Sequence, residues 1–108
     1  SIHHNAATSQ GGGGINNSSN VTMNDSSSIH DNSAGAAGGG VMNISNNGSF
    51  PTLTLAGTSS ITDNTAVIWG GGIANILPSV VNTCSGWAGD IVTGNAPAGL
   101  PSLTTGVC

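Results

Sequence analysis

SIHDNSAGAAGGGVMN, residues 28–43, sets two apolar anchors, Ile29 and Val41, among turn-forming residues, and both of its halves recur elsewhere in the chain. Its first half, Ser28-Ile29-His30-Asp31-Asn32-Ser33-Ala34, has copies at Ser1-Ile2-His3-His4-Asn5-Ala6-Ala7 and Ser60-Ile61-Thr62-Asp63-Asn64-Thr65-Ala66. A degenerate fourth copy runs Ile91-Val92-Thr93-Gly94-Asn95-Ala96-Pro97. Its second half, Gly38-Gly39-Gly40-Val41-Met42-Asn43, is matched by Gly12-Gly13-Gly14-Ile15-Asn16-Asn17 and Gly70-Gly71-Gly72-Ile73-Ala74-Asn75. A third block alternates as strands do: Val21-Thr22-Met23, Leu53-Thr54-Leu55 and Ser79-Val80-Val81. The whole pattern returns about every 30 residues, within the range of solenoid repeats.

Three short β-prone runs per repeat, divided by Asn, Gly, Ser and Asp, with no sustained helical period, predict an all-β fold. The expected architecture is a right-handed parallel β-helix (β-solenoid) of three to four coils, with three short strands per coil. Coils stacked about 4.8 Å apart bring equivalent residues directly above one another. Ile2, Ile29, Ile61 and Val92 then form one inward aliphatic ladder, and Ile15, Val41 and Ile73 a second. Val21, Leu53 and Val80 form the third. Asn5, Asn32, Asn64 and Asn95 stack at one corner, and Asn17, Asn43 and Asn75 at another. Asparagine suits a corner because it tolerates left-handed backbone and its amide can bond to the next amide in the stack. The repeat coils occupy residues 1–82, starting near residues 1, 28 and 60. Residues 83–108 make a degenerate last coil and a C-terminal segment.

The recurring S-I-x-x-N-x-A and G-G-G-[IV]-x-N motifs resemble the polymorphic outer-membrane-protein repeats of bacterial surface proteins. The resemblance extends from Ser1 to about Asn75 and weakly into the fourth copy. It implies a right-handed β-helix of the kind found in autotransporter-like adhesins and large secreted surface proteins.

Composition narrows the function. The chain has 108 residues, no Lys or Arg and four Asp or Glu, for a formal net charge of −4. Without cationic side chains it cannot neutralise phosphates, so neither nucleic acid nor an anionic membrane surface is an expected partner. No apolar run approaches the roughly 20 residues of a spanning helix, so membrane insertion is not expected. The two cysteines, Cys84 and Cys108, are expected to form a disulfide and to place the chain in an oxidising, extracellular or cell-surface setting. A start without Met suggests a processed mature protein or an excised fragment.

The glycine runs have no phosphate-binding chemistry. A P-loop needs a lysine, and a dinucleotide fingerprint needs a helix after the glycines. Their threefold recurrence assigns them to tight turns or close approach of coils. His3, His30 and Asp31 are weak candidates for a metal site, since His3 and His30 stack and His4, Asp31 and Asp63 share the next position. Asp31 and Asp63 are the only acids in equivalent positions, a thin basis for polysaccharide cleavage. Thr22 and Thr54 align, but Val81 breaks the threonine file that an ice-binding face needs. Trp69 and Trp87 are possible sugar-stacking residues. Asn-x-Ser/Thr sequons occur at Asn16, Asn17, Asn20, Asn24, Asn43 and Asn47.

No catalytic set and no cofactor are expected. The favoured function is a non-enzymatic extracellular structural protein, a building block that stacks head to tail with copies of itself into a surface filament or matrix. The alternative is an adhesin or passenger fragment that binds surface glycans. The chain opens inside a repeat, which predicts an uncapped first coil. The C-terminal segment is expected to serve as a partial cap or docking surface.

Overall fold

The computed structural model describes residues 1–108 and contains strands and turns without a helix. The first coil carries β1 (Ile2–His3), β2 (Ala6–Ala7), β3 (Ile15–Asn17) and β4 (Asn20–Met23). The second carries β5 (Ser28–His30), β6 (Ser33–Ala34), β7 (Val41–Ile44) and β8 (Thr52–Leu55). The third carries β9 (Ser60–Thr62), β10 (Thr65–Ala66), β11 (Ile73–Ile76) and β12 (Val80–Thr83), and β13 (Leu103–Thr104) follows in the tail. Every pairing is parallel and joins equivalent strands of successive coils. The sheets are β1-β5-β9, β2-β6-β10, β3-β7-β11 and β4-β8-β12-β13. This is a parallel β-helix, and as a short stack it measures 35 × 31 × 20 Å.

The register confirms most of the expected ladders. Ile2, Ile29 and Ile61 align, as do Ile15, Val41 and Ile73. Asn17, Asn43 and Asn75 align in the same sheet as the second set. The core is a file of aliphatic side chains, with Ile29, Val41, Leu53, Leu55, Ile61 and Val81 almost wholly buried. Burying an aliphatic side chain of this size contributes about 1.5–3 kcal/mol, and these ladders are the main apolar stabilisation of a chain without Lys or Arg.

Three expectations need correction. First, each coil has four strands. Ala6–Ala7 and its equivalents form a fourth ladder, because two small residues suffice where a glycine run passes close by. A Cβ on Gly13 would meet the carbonyl groups of Ser33 and Gly39, and one on Gly39 those of Thr65 and Gly71. Second, the third apolar ladder runs Val21, Leu53, Val81 and Leu103. Val80 aligns instead with Asn20 and Thr52. Third, Val92 points outward at 52% exposure, and Ile91 fills the core at 6%. Asn95 still takes its ladder position beside Asn64, so the chain holds one extra residue between the inward Ile91 and Asn95. A turn across residues 92–94 accommodates it.

The two asparagine files carry the corners. Asn32 and Asn64 have 1% and 0% exposure, and burial of that kind requires full hydrogen bonding. Asn64 Oδ1 accepts from the Asn32 backbone N–H at 2.9 Å and from Asn32 Nδ2 at 3.0 Å. Asn64 Nδ2 donates to the Ile29 and Thr62 carbonyls and on to Asn95 Oδ1. Asn5 joins the same file from the exposed first coil. In the second file Asn17 Nδ2 donates to Asn43 Oδ1 at 2.7 Å, and Asn43 Nδ2 to Asn75 Oδ1 at 2.9 Å.

Asn64→Ala is expected to leave the Asn32 N–H and the facing carbonyls unpaired, costing about 3 kcal/mol or more in urea denaturation. Asn5→Ala, at the exposed end of the file, should cost under about 1 kcal/mol. Gly39→Ala should be destabilising by on the order of 2–3 kcal/mol, because its Cβ would lie 2.5 Å from the Gly71 carbonyl oxygen. Gly99→Ala meets open space and should stay within about 0.5 kcal/mol of the parent chain.

Candidate functional site

The chain's three histidines all lie on one corner of the first two coils. His3 and His30 are register partners at the ends of β1 and β5, and their rings stack at 5.0 Å between centroids and 8° between planes. His4, Asp31 and Asp63 follow, all left-handed, with φ of 58°, 56° and 55°. Short polar side chains favour that conformation, which gives Asp31 and Asp63 a turn-forming role. The His4 N–H donates to the Asp31 carbonyl and the Asp31 N–H to the Asp63 carbonyl, each at 3.1 Å, so the turns are tied together by backbone.

The candidate metal ligands do not converge as the sequence suggested. His30 Nδ1 lies 2.7 Å from Asp31 Oδ2, and His3 lies flat against His30. No three His, Cys, Asp or Glu side chains form a ready-made metal cage. The closest nitrogens belong to neighbours in sequence, His3 Nδ1 and His4 Nδ1 at 2.5 Å. The His30 hydrogen bond holds the Asp31 carboxyl below its ordinary range, and the nearby imidazoles act in the same direction.

Asp90 plays a different part. Its carboxylate accepts from the Val92 N–H at 2.7 Å, the Thr93 N–H at 3.0 Å and the Thr93 hydroxyl. It thereby closes the turn that turns Val92 outward and lets Ile91 enter the core. The four acids divide between left-handed turns at Asp25, Asp31 and Asp63 and this side-chain turn at Asp90.

The tryptophans separate as well. Trp87 packs against the core, and its Nε1–H donates to the Ser59 carbonyl at 3.1 Å, which accounts for it as a packing residue. Trp69 is 43% exposed, beside a recess of about 90 Å³ that it shares with Leu100 and Pro101. Two sequon residues, Asn17 and Asn43, are buried in the ladder at 5% and 0% exposure. Their amides are occupied, whereas Asn16, Asn20, Asn24 and Asn47 are exposed. The threonine file ends because Asn82, not Val81, aligns with Thr22 and Thr54.

Compared with known family models, curated proteins and solved structures, the chain finds no match. Its chemistry therefore has to be argued from its own surfaces, and the two ends of the stack are the most distinctive. At the first coil, the uncovered core forms a recess of about 350 Å³ lined by Ile2, Ile15, Val21, Met23 and Ile29. At the other end, the tail lies across the column. The Ile61 N–H donates to the Asp90 carbonyl, Thr65 bridges to Ala96, and β13 pairs with β12. A Cys84–Cys108 disulfide fastens the tail, as expected, and the Ser85 N–H donates to the Cys108 carbonyl. Such bonds persist in oxidising compartments. No helix is long and apolar enough to cross a membrane. Within this covered end, β11 has no further strand paired to it, as β3 has none at the first coil, but Ile73 and Ala74 are buried and Gly99, Leu100 and Pro101 of the tail lie beside them.

The hydrogen bonds from Thr93 and Val92 hold the Asp90 carboxyl below its ordinary value of 3.8. A group with a lowered folded pKa stabilises the fold above its unfolded pKa, and that contribution is lost as pH falls through the folded value. Carboxyl NMR should therefore show Asp90 titrating below 3.8, and the Thr93 amide resonance should move with it.

Proposed function

We propose that this chain is a non-enzymatic, extracellular structural protein, a β-helix section that stacks end to end with its own copies in a surface filament or matrix. The observation that carries this is the sheet β3-β7-β11, whose two outer strands have no further strand paired to them, β11 lying partly under the tail residues Gly99–Pro101. Its asparagine file has a direction, since each Nδ2 donates toward the C-terminal coil. Asn75 Nδ2 donates to the Ser79 carbonyl at 2.9 Å, which leaves its second proton available for an incoming Asn17 rung. Head-to-tail contact continues both the ladder and the parallel register, and a contact of that kind does not close on itself. The apolar recess at the first coil supplies burial once a coil covers it. The disulfide and the resemblance to bacterial surface repeats support the extracellular setting.

A glycan-binding adhesin role is the second reading, and Trp69 is the residue that favours it. An exposed indole beside a shallow recess can stack on a sugar ring.

Purified chain viewed by negative-stain electron microscopy should show filaments about as wide as one coil, with light scattering that rises with concentration. Asn16→Lys places a charge on an exposed position of β3 at the first coil and should abolish the polymers while leaving the β-sheet circular dichroism unchanged. A chain that stays a monomer at every concentration would sink the stacking proposal. If such a monomer bound a glycan array and lost that binding on Trp69→Ala, the adhesin reading would replace it.

A further inference from the structure

We propose that His3 and His4 form a surface site for a divalent transition metal such as Zn²⁺, with two imidazole nitrogens as protein ligands and water completing the shell. Consecutive residues of a strand face opposite ways. His3 ends β1, but His4 is left-handed at φ 58°, and the reversal brings the two rings together. Their centroids lie 4.8 Å apart at 79°, and both Nδ1 atoms point to one spot, 2.5 Å from each other. At that distance one Nδ1 carries the hydrogen and the other accepts it. With each ring in its Nε2–H tautomer, a cation takes the place of that hydrogen and binds both Nδ1 atoms, and a small separation of the rings accommodates it.

The surroundings hold this pair in place. The His30 ring lies parallel to that of His3 and fixes its plane. The His4 N–H is anchored on the Asp31 carbonyl. The chain contains no Lys or Arg to compete for a cation's place. Imidazole nitrogen suits Zn²⁺ and Cu²⁺, and two protein ligands make the site open and exchangeable. Asp31 remains on His30 as an outer charge, so the site does not require the three-ligand cage that the corner lacks.

The test is a Zn²⁺ titration of the full chain at neutral pH, followed by imidazole NMR and calorimetry. One zinc per chain is expected, with the His3 and His4 ring signals moving together and binding weakening as the pH is lowered, because the ligands must be deprotonated. His4→Asn keeps a residue that accepts left-handed backbone, and should weaken binding at least about tenfold while the amide spectrum stays dispersed. His30→Ala removes the stacking partner and releases the Asp31 carboxylate from its hydrogen bond, and should change affinity less than His4→Asn does. The proposal is overturned if the rings do not respond to millimolar zinc, which would mean a shared proton between them. It is also overturned if His4→Asn binds as tightly as the parent, or if His30→Ala loses as much as His4→Asn.

Discussion

A column of stacked coils must turn corners without leaving polar backbone groups unpaired inside it, and the buried asparagine amides meet that requirement. One carboxamide has two donors and one acceptor oxygen, which lets it bridge its own coil and both neighbours. Asn64 uses all of them, receiving from Asn32 and sharing its two N–H groups among the Ile29 and Thr62 carbonyls and, at a longer 3.3 Å, Asn95 Oδ1. Neither serine nor aspartate provides that set. Serine has one donor, and an aspartate carboxylate has none to give to the next rung. The apolar ladders add burial, but the amide files determine which residue sits above which.

The glycines follow from the same geometry. The first of each run adopts positive φ, and the other two lie against the backbone or the asparagine amide of the adjacent coil. With the corners and the close approaches fixed in this way, the remaining polar residues are displaced to the rim. That is why His3, His4, His30 and Asp31 gather on one exposed corner, and why the chain's surface chemistry is concentrated there and at the two faces of the stack.

The files of identical residues were legible in the sequence, because Ile2, Ile29 and Ile61 or Asn32 and Asn64 announce their own register. The departures came where identity gave no guide. Val80 and Val81 are adjacent and chemically alike, and only strand pairing separates the inward one from its neighbour. Ile91 and Val92 posed the same ambiguity, and the extra residue before Asn95 was absorbed by the Asp90 turn, which leaves no mark on the repeat. The ladder of Ala6–Ala7 was missed because alanine pairs have little strand propensity and read as turn. At the histidine corner, register showed His3 above His30, but the pairing of His3 with His4 depends on a backbone reversal that residue type alone does not specify.

In the Asn17-Asn43-Asn75 file the carboxamides point the same way, with oxygens toward the first coil and amino groups toward the last. Parallel β-strands have little net dipole along such a stack, because alternate peptide units oppose one another. The side-chain amides do not cancel. They add along the axis, much as peptide units do in a helix, and no Lys or Arg side chain is present to mask the result. The column thus carries a small side-chain dipole along its axis, negative toward the first coil and positive toward the last.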